Sequence, residues 1–194
     1  PEPSETDIPD TISVILEEDV AWLKNQSNPA IWHDAASSCL VFLGDPHGFL
    51  PWLIKQPNVD PTTAGSTLHG AARPRYLKNP KYYHCKVEHE EMEQILKALC
   101  IRSERIGFVQ DSIGFEDDIW STYEDRRQEC LDLIGASDIS DNVIVPRGIL
   151  AAPFPHRTIK SDYIDIGEGE LVTEEWLAET LPHIYGKNRT LPLS

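Results

Sequence analysis

The sequence has few basic residues: 17 lysines and arginines stand against 32 aspartates and glutamates in a chain of 194 residues. The formal net charge of −15 argues against a nucleic-acid-binding protein, which needs cations to displace the counterions of the phosphates. It also argues against docking on an anionic membrane, and the sequence has no apolar stretch long enough to span a bilayer. We therefore expect neither nucleic acid nor a membrane as a partner, whereas a basic protein partner suits the charge.

Cysteine is scarce, and its spacing suggests no pairing. The four cysteines, Cys39, Cys85, Cys100 and Cys130, form no Cys-x-x-Cys pair and no compact disulfide framework. Three of them fall on apolar helical faces, where a free thiol packs as a small hydrophobe. The acidic residues 1–7 also lack the apolar run of a signal peptide. We therefore predict free thiols, a reducing compartment and a cytoplasmic protein.

Catalytic motifs with clear signatures are missing from the sequence. It contains no Gly-x-Ser-x-Gly elbow, no phosphate-binding loop and no dinucleotide fingerprint. The segment with His84, Cys85 and His89 offers metal ligands, but a structural zinc site needs a second pair that the sequence does not supply. We therefore expect no cofactor, no metal and no enzymatic activity. The alternative is a small hydrolase or transferase that uses Cys85 with a histidine, or a metal-dependent enzyme.

One stretch of the chain shows a well-defined pattern of helix ends. Gly48 and Phe49 begin a short apolar helix that Pro57 and Asn58 stop. Asp60 is a favourable N-cap for the next helix because its carboxylate accepts the free amide hydrogens of the first turn. The proline that follows Asp60 suits the first helical position, where its missing N–H costs nothing. We expect a helix, a tight turn and a new helix here.

The remaining apolar periodicity predicts a mainly α fold in a single compact domain. Helices are expected at about 11–26, 29–43 and 87–102, after residue 115, and from about 173. A minor β-hairpin is expected at 107–115. Residues 1–10 are predicted to be a flexible arm and 11–135 the helical domain. The Pro/Gly-rich segment 136–194 is predicted to be an irregular extension with a terminal helix, packed on the same domain.

Residues 73–86 form the only concentrated basic segment of this acidic chain. Such a segment, in which cations and aromatic rings alternate, can bind phosphate or an acidic peptide. It can equally be a solvated loop that pairs with the chain's own carboxylates, and the sequence leaves both readings open. The residues concerned are Arg73, Arg75, Tyr76, Lys78, Lys81, Tyr82, Tyr83 and Lys86.

The stretch from Gly48 onwards resembles a bacterial family, the domain of unknown function four-two-seven-four. The resemblance covers about residues 32–116. It implies a compact helical domain without established catalytic residues, and a tilt towards immunity or partner binding. The family pattern is Gly-Phe, Pro, Pro-Asn-Cys-Asp and Thr-Ala. Its matches here are Gly48-Phe49, Pro51, Pro57-Asn58-Val59-Asp60 and Thr63-Ala64, with Val59 in place of the cysteine. The closing pattern of the family is matched by Gly107-Phe108, Ile113 and Phe115.

The acidic balance, the missing catalytic motifs and the resemblance together favour a non-enzymatic binding protein. The sharpest form of this hypothesis is an immunity or antitoxin-like protein that neutralises a basic toxin or effector by direct binding. Charge complementarity would speed association with such a partner. The carboxylates predicted to contact it are Glu116, Asp117, Asp118, Glu124 and Asp125.

Overall fold

The computed structural model describes residues 9–109, 111–115, 117–151, 153–157, 163–166 and 169–181. The side chains of residues 71, 117–120 and 165 lie outside this description. The flexible arm predicted for residues 1–10 therefore falls almost wholly outside the described residues.

Within those ranges the chain is mainly helical, as predicted, with a small antiparallel sheet. The helices are α1 (Glu17–Lys24), α2 (Pro29–Ser38), α3 (Phe49–Leu53), α4 (Pro61–Ala71), α5 (Pro74–Lys78), α6 (His89–Ile101), α7 (Asp117–Gly135), α8 (Arg147–Leu150) and α9 (Glu174–Thr180). The strands are β1 (Thr11–Ile12), β2 (Tyr163–Asp165) and β3 (Leu171–Thr173).

Side-chain caps mark where several of these helices begin. Asn28 and Thr173 accept hydrogen bonds from main-chain N–H groups in the first turns of α2 and α9. Asp60 does the same for α4, as the sequence predicts. Each cap satisfies an amide that a helix start would otherwise leave without a partner.

Two helices end in a π-helical turn that closes on a glycine. The turn Cys39–Leu43 extends α2, and the turn Arg102–Ile106 extends α6. Gly44 and Gly107 follow them with φ of 77° and 81°, a left-handed region that favours glycine. The predicted helices at 29–43 and 87–102 thus correspond to α2 and α6 with their π-helical ends.

The prediction of one helix over 11–26 is wrong at its beginning. Thr11–Ile12 form strand β1 instead, and Ile12 is fully buried. β1 pairs antiparallel with β3, and β3 pairs antiparallel with β2, which gives the order β1-β3-β2. Only Glu17–Lys24 of the predicted span is helical.

The predicted β-hairpin at 107–115 is also wrong. Among the described residues of this segment, none belongs to a strand, and Phe115 forms a single parallel bridge with His156. The Phe115 N–H donates to the Pro155 carbonyl at 3.1 Å, and the Arg157 N–H donates to the Phe115 carbonyl at 3.0 Å. The segment therefore pairs with a distant part of the chain instead of folding back on itself.

One hydrophobic core joins the helical region to the C-terminal extension. Ile12 of β1, Leu96 of α6 and Leu171 of β3 belong to the same buried cluster, together with Ile149 and Leu150 of α8. The carbonyl of Asp10 also accepts a hydrogen bond from the Thr173 N–H at 2.9 Å. The described part of the extension thus packs on the helices and completes their hydrophobic core.

Candidate functional site

The stretch that begins at Gly48 is organised by two buried aspartates. Gly48 precedes α3 with φ of 62°, and Phe49 is its fully buried first residue. Asp45 accepts the Phe49 and Leu50 N–H groups at 2.7 Å each, so it caps α3. Sequence analysis missed Asp45, although a Gly-Asp-Pro turn just before an apolar helix is a recognisable capping signal.

Asp60 has more partners than a helix cap requires. It is 1% exposed, and its Oδ1 accepts the Thr62 N–H at 2.9 Å. Its Oδ2 accepts the Ser112 N–H at 2.8 Å and the Ile113 N–H at 3.2 Å. Pro57 and Asn58 lie in the turn before it, as predicted. Asp60 therefore fixes the 111–115 segment to the start of α4.

Asp45 also lies beside a second carboxyl group, that of Glu91 on α6. Burial raises the pKa of Glu91 to about 7, and the charge of Asp45 and a hydrogen bond to it add to the effect. Two carboxyl groups so close retain a proton between them more readily than separate ones. Neither residue lines the large cavity described below, so this pair reads as a structural contact.

Of the five carboxylates predicted to bind a partner, only Glu124 and Asp125 have described side chains. Glu116 lies outside the described residues, and Asp117 and Asp118 are described only as the main chain at the start of α7. Asp125 is exposed. Glu124 lies half-buried against Arg127 and accepts a hydrogen bond from the Phe154 N–H at 3.4 Å.

Glu124 is used inside the fold. The Arg127 Nε donates to both carboxylate oxygens of Glu124, at 2.9 and 3.0 Å. The Arg127 Nη1 donates to the Leu150 carbonyl at 2.8 Å, which ties α7 to α8. The hydrogen bond from Arg127 holds the pKa of Glu124 below its ordinary value. Glu124 thus stabilises a buried arginine, and sequence analysis gave no sign of this role.

The outward face of α7 carries a different set of carboxylates, which we call the acidic stripe: Asp125, Glu129 and Asp132. Their spacing of four and three residues places them on one side of the helix. All three are exposed, whereas Arg127 and Cys130 between them are buried.

A cavity of about 680 Å³ lies between the π-helical turn after α2, the end of α4, residues 83–86 and α7. We call it the basic cleft, because its charged lining residues are Arg73, Lys86 and Arg126, with His84 beside them. Among the described residues that line it, none is acidic. Sequence analysis singled out 73–86 but missed Arg126, whose only signal is its place in an otherwise acidic helix.

Comparison with protein-family models, curated proteins and solved structures found no match. The resemblance to the domain of unknown function four-two-seven-four therefore stays a prediction. No helix among the described residues is long and apolar enough to cross a membrane.

Of the residues proposed as a metal or nucleophile site, His84 and Cys85 both line the basic cleft. The Cys85 Sγ faces the Val87 carbonyl at 3.8 Å, and the His89 ring packs against Tyr83 with 4.8 Å between ring centroids. Burial raises the pKa of the Cys85 thiol, which disfavours the reactive thiolate. In the described part of the chain, no three His, Cys, Asp or Glu residues are arranged to hold a metal ion.

Two other histidines are buried in the core. The His33 Nδ1 lies 3.2 Å from the Thr63 Oγ1, and burial lowers the pKa of His33 to about 4. His69 is fully buried between Tyr123 and Phe154, and burial lowers its pKa to about 3. Both imidazoles are therefore neutral at pH 7 and serve as packing groups.

Proposed function

We propose that this chain is a non-enzymatic binding protein that neutralises a basic protein partner, in the manner of an immunity or antitoxin protein. The observation that carries the proposal is the acidic stripe, three exposed carboxylates aligned along α7 in a chain of net charge −15. Within the stripe, the side chain of Asp132 accepts a hydrogen bond at 2.8 Å from Gln128 on the same helix.

The physical reason is electrostatic. Like charges on one exposed helix face repel one another, and a partner with lysines or arginines would relieve that repulsion. The same field would steer the partner during diffusion and raise the association rate, most strongly at low ionic strength. A basic toxin or effector has the chemistry that such a face recognises.

The competing enzymatic hypothesis depends on Cys85 acting with a histidine. An activated cysteine needs a low pKa, but burial raises the pKa of Cys85. The pKa of its neighbour His84 is lowered by partial loss of hydration and by the charges of Arg73 and Arg126. The raised pKa of Cys85 and the lowered pKa of His84 favour the binding protein over the enzyme.

The test is affinity capture from a lysate of the source cells with three versions of the chain. One is wild type, one carries Asp125→Lys, Glu129→Lys and Asp132→Lys, and the third carries Asp141→Lys, Glu170→Lys and Glu179→Lys. The third is the matched control, because its three exposed carboxylates lie elsewhere and the change in net charge is the same.

We expect wild type and the control to capture the same basic protein and the stripe variant to lose it. The captured protein should lose its toxicity when it is co-expressed with wild type but not with the stripe variant. A protein retained equally by all three versions, or no captured protein at all, would contradict the proposal.

A further inference from the structure

The basic cleft brings together three cations, Arg73, Lys86 and Arg126. Among the described residues, no ion pair involves Arg73, Lys86 or Arg126. The Arg73 Nε is buried and has no hydrogen-bond partner in the described part of the chain. A buried donor without a partner destabilises the fold, so a ligand that supplies an acceptor there gains affinity.

The two arginines lie close enough to affect each other. Burial lowers the pKa of Arg73, and the charge of Arg126 lowers it further. Arg126 is held in place on α7, because its guanidinium carbon lies 5.3 Å from the centroid of the Tyr123 ring and its Nη1 donates to the His69 carbonyl at 3.3 Å. Two like charges held together in a cavity favour an anion between them.

Three features indicate what kind of anion would bind. The guanidinium groups of Arg73 and Arg126 offer planar, two-pronged donors that match the oxygens of a phosphate or carboxylate. With Lys86, three cations line the cleft. Three cations match a phosphate monoester, whose charge is about −1.5 to −2, better than they match a single carboxylate. A cavity of about 680 Å³ is the size of a small-molecule site.

We propose that the basic cleft binds a small phosphorylated molecule, whose phosphate group contacts Arg73, Arg126 and Lys86. The site differs from the acidic stripe in the sign of its charge and in the residues that form it. Its occupancy can therefore be tested independently of any protein partner.

The experiment is calorimetric titration of the whole chain with inorganic phosphate and with phosphoserine at low ionic strength. We expect saturable binding at one site, weakened about tenfold or more by Arg73→Gln, by Arg126→Gln and by Lys86→Gln. Arg105→Gln is the matched control, since it removes the same charge from an exposed residue that lies outside the cleft. Lys86→Gln guards against misfolding, because Lys86 bonds to the fold through its main-chain N–H, which donates to the Leu40 carbonyl at 2.9 Å and is unchanged by the substitution.

A second readout follows His84, which lines the cleft and whose pKa is lowered by burial, Arg73, Arg126 and Arg75. Bound phosphate places negative charge beside the ring, so the NMR titration midpoint of His84 should rise on saturation. Equal affinities for the cleft variants and the control, or binding that never saturates, would overturn the proposal. So would an oligoglutamate peptide that binds more tightly than phosphoserine, which would assign the cleft to acidic peptides.

Discussion

The Asp60 Oδ2 accepts a hydrogen bond at 2.8 Å from the main-chain N–H of Ser112, 52 residues further along the chain. The same carboxylate caps α4 through Thr62 and also accepts the Ile113 N–H. One buried side chain thus joins a helix start to a segment that has no regular structure of its own among its described residues. This contact, together with the pairing of Phe115 with residues 155–157, positions residues 111–115.

The first prediction concerns Asp60→Ala. Loss of a cap alone costs about 1 kcal/mol. Because the Ser112 and Ile113 N–H groups would also lose their acceptor, we expect the free energy of unfolding to fall by about 3 kcal/mol. Asp111→Ala is the control, since its exposed ion pair with Arg157 should contribute less than about 1 kcal/mol. Urea unfolding measures both, and equal losses for the two variants would show that Asp60 is an ordinary cap.

The second prediction concerns Glu124→Gln. The substitution leaves the buried Arg127 without its anion, so we expect a loss of about 2–3 kcal/mol at pH 7. The folded pKa of Glu124 lies below its ordinary value, so this contribution is present above the unfolded pKa and is lost as the pH falls through the folded pKa. The difference between variant and wild type should therefore shrink in acid.

The control for Glu124→Gln is Glu129→Gln, which alters an exposed carboxylate on the same helix. We expect it to change the free energy of unfolding by no more than about 0.5 kcal/mol. A loss in Glu124→Gln that stays constant from pH 7 into acid would contradict the assigned ion pair.

The third prediction concerns pH and His33. Its folded pKa is about 4 and its ordinary value is 6.5, so between these pH values the unfolded chain binds a proton that the folded chain does not. Stability must then fall as the pH drops, by about 2 kcal/mol between pH 7 and 5 for this one group. His33→Gln should lose that part of the pH dependence, measured by urea unfolding at both pH values. If the two proteins have the same pH dependence, His33 is protonated in the core.

Local signals in the sequence were enough to predict the helices with caps and apolar stripes. Asp60, Asn28 and Thr173 mark helix starts by their own chemistry, and α6 has a clear stripe of buried residues. The strand at Thr11–Ile12 was missed because two residues carry almost no periodicity, and its partner Val172 lies at the other end of the chain. Short-range patterns do not report such distant pairing.

The candidate sites were predicted less well, for the same reason. The basic segment 73–86 is visible in the sequence, but Arg126 joins it only through the packing of α7 against α5 and the end of α4. Glu124 and Asp125 are neighbours in sequence, yet one faces Arg127 and the other is exposed. Consecutive residues of a helix point to different sides, and the structure shows which side of α7 faces the core.

The acidic stripe is proposed to contact a basic partner. The most direct measurement is the association rate constant of the captured partner with wild type, the stripe variant and the control variant, at ionic strengths from about 0.01 to 1 M. We predict a rate that falls steeply with salt for wild type and the control, and a slower, nearly salt-independent rate for the stripe variant. An association rate that is the same for all three proteins and indifferent to salt would contradict the claim.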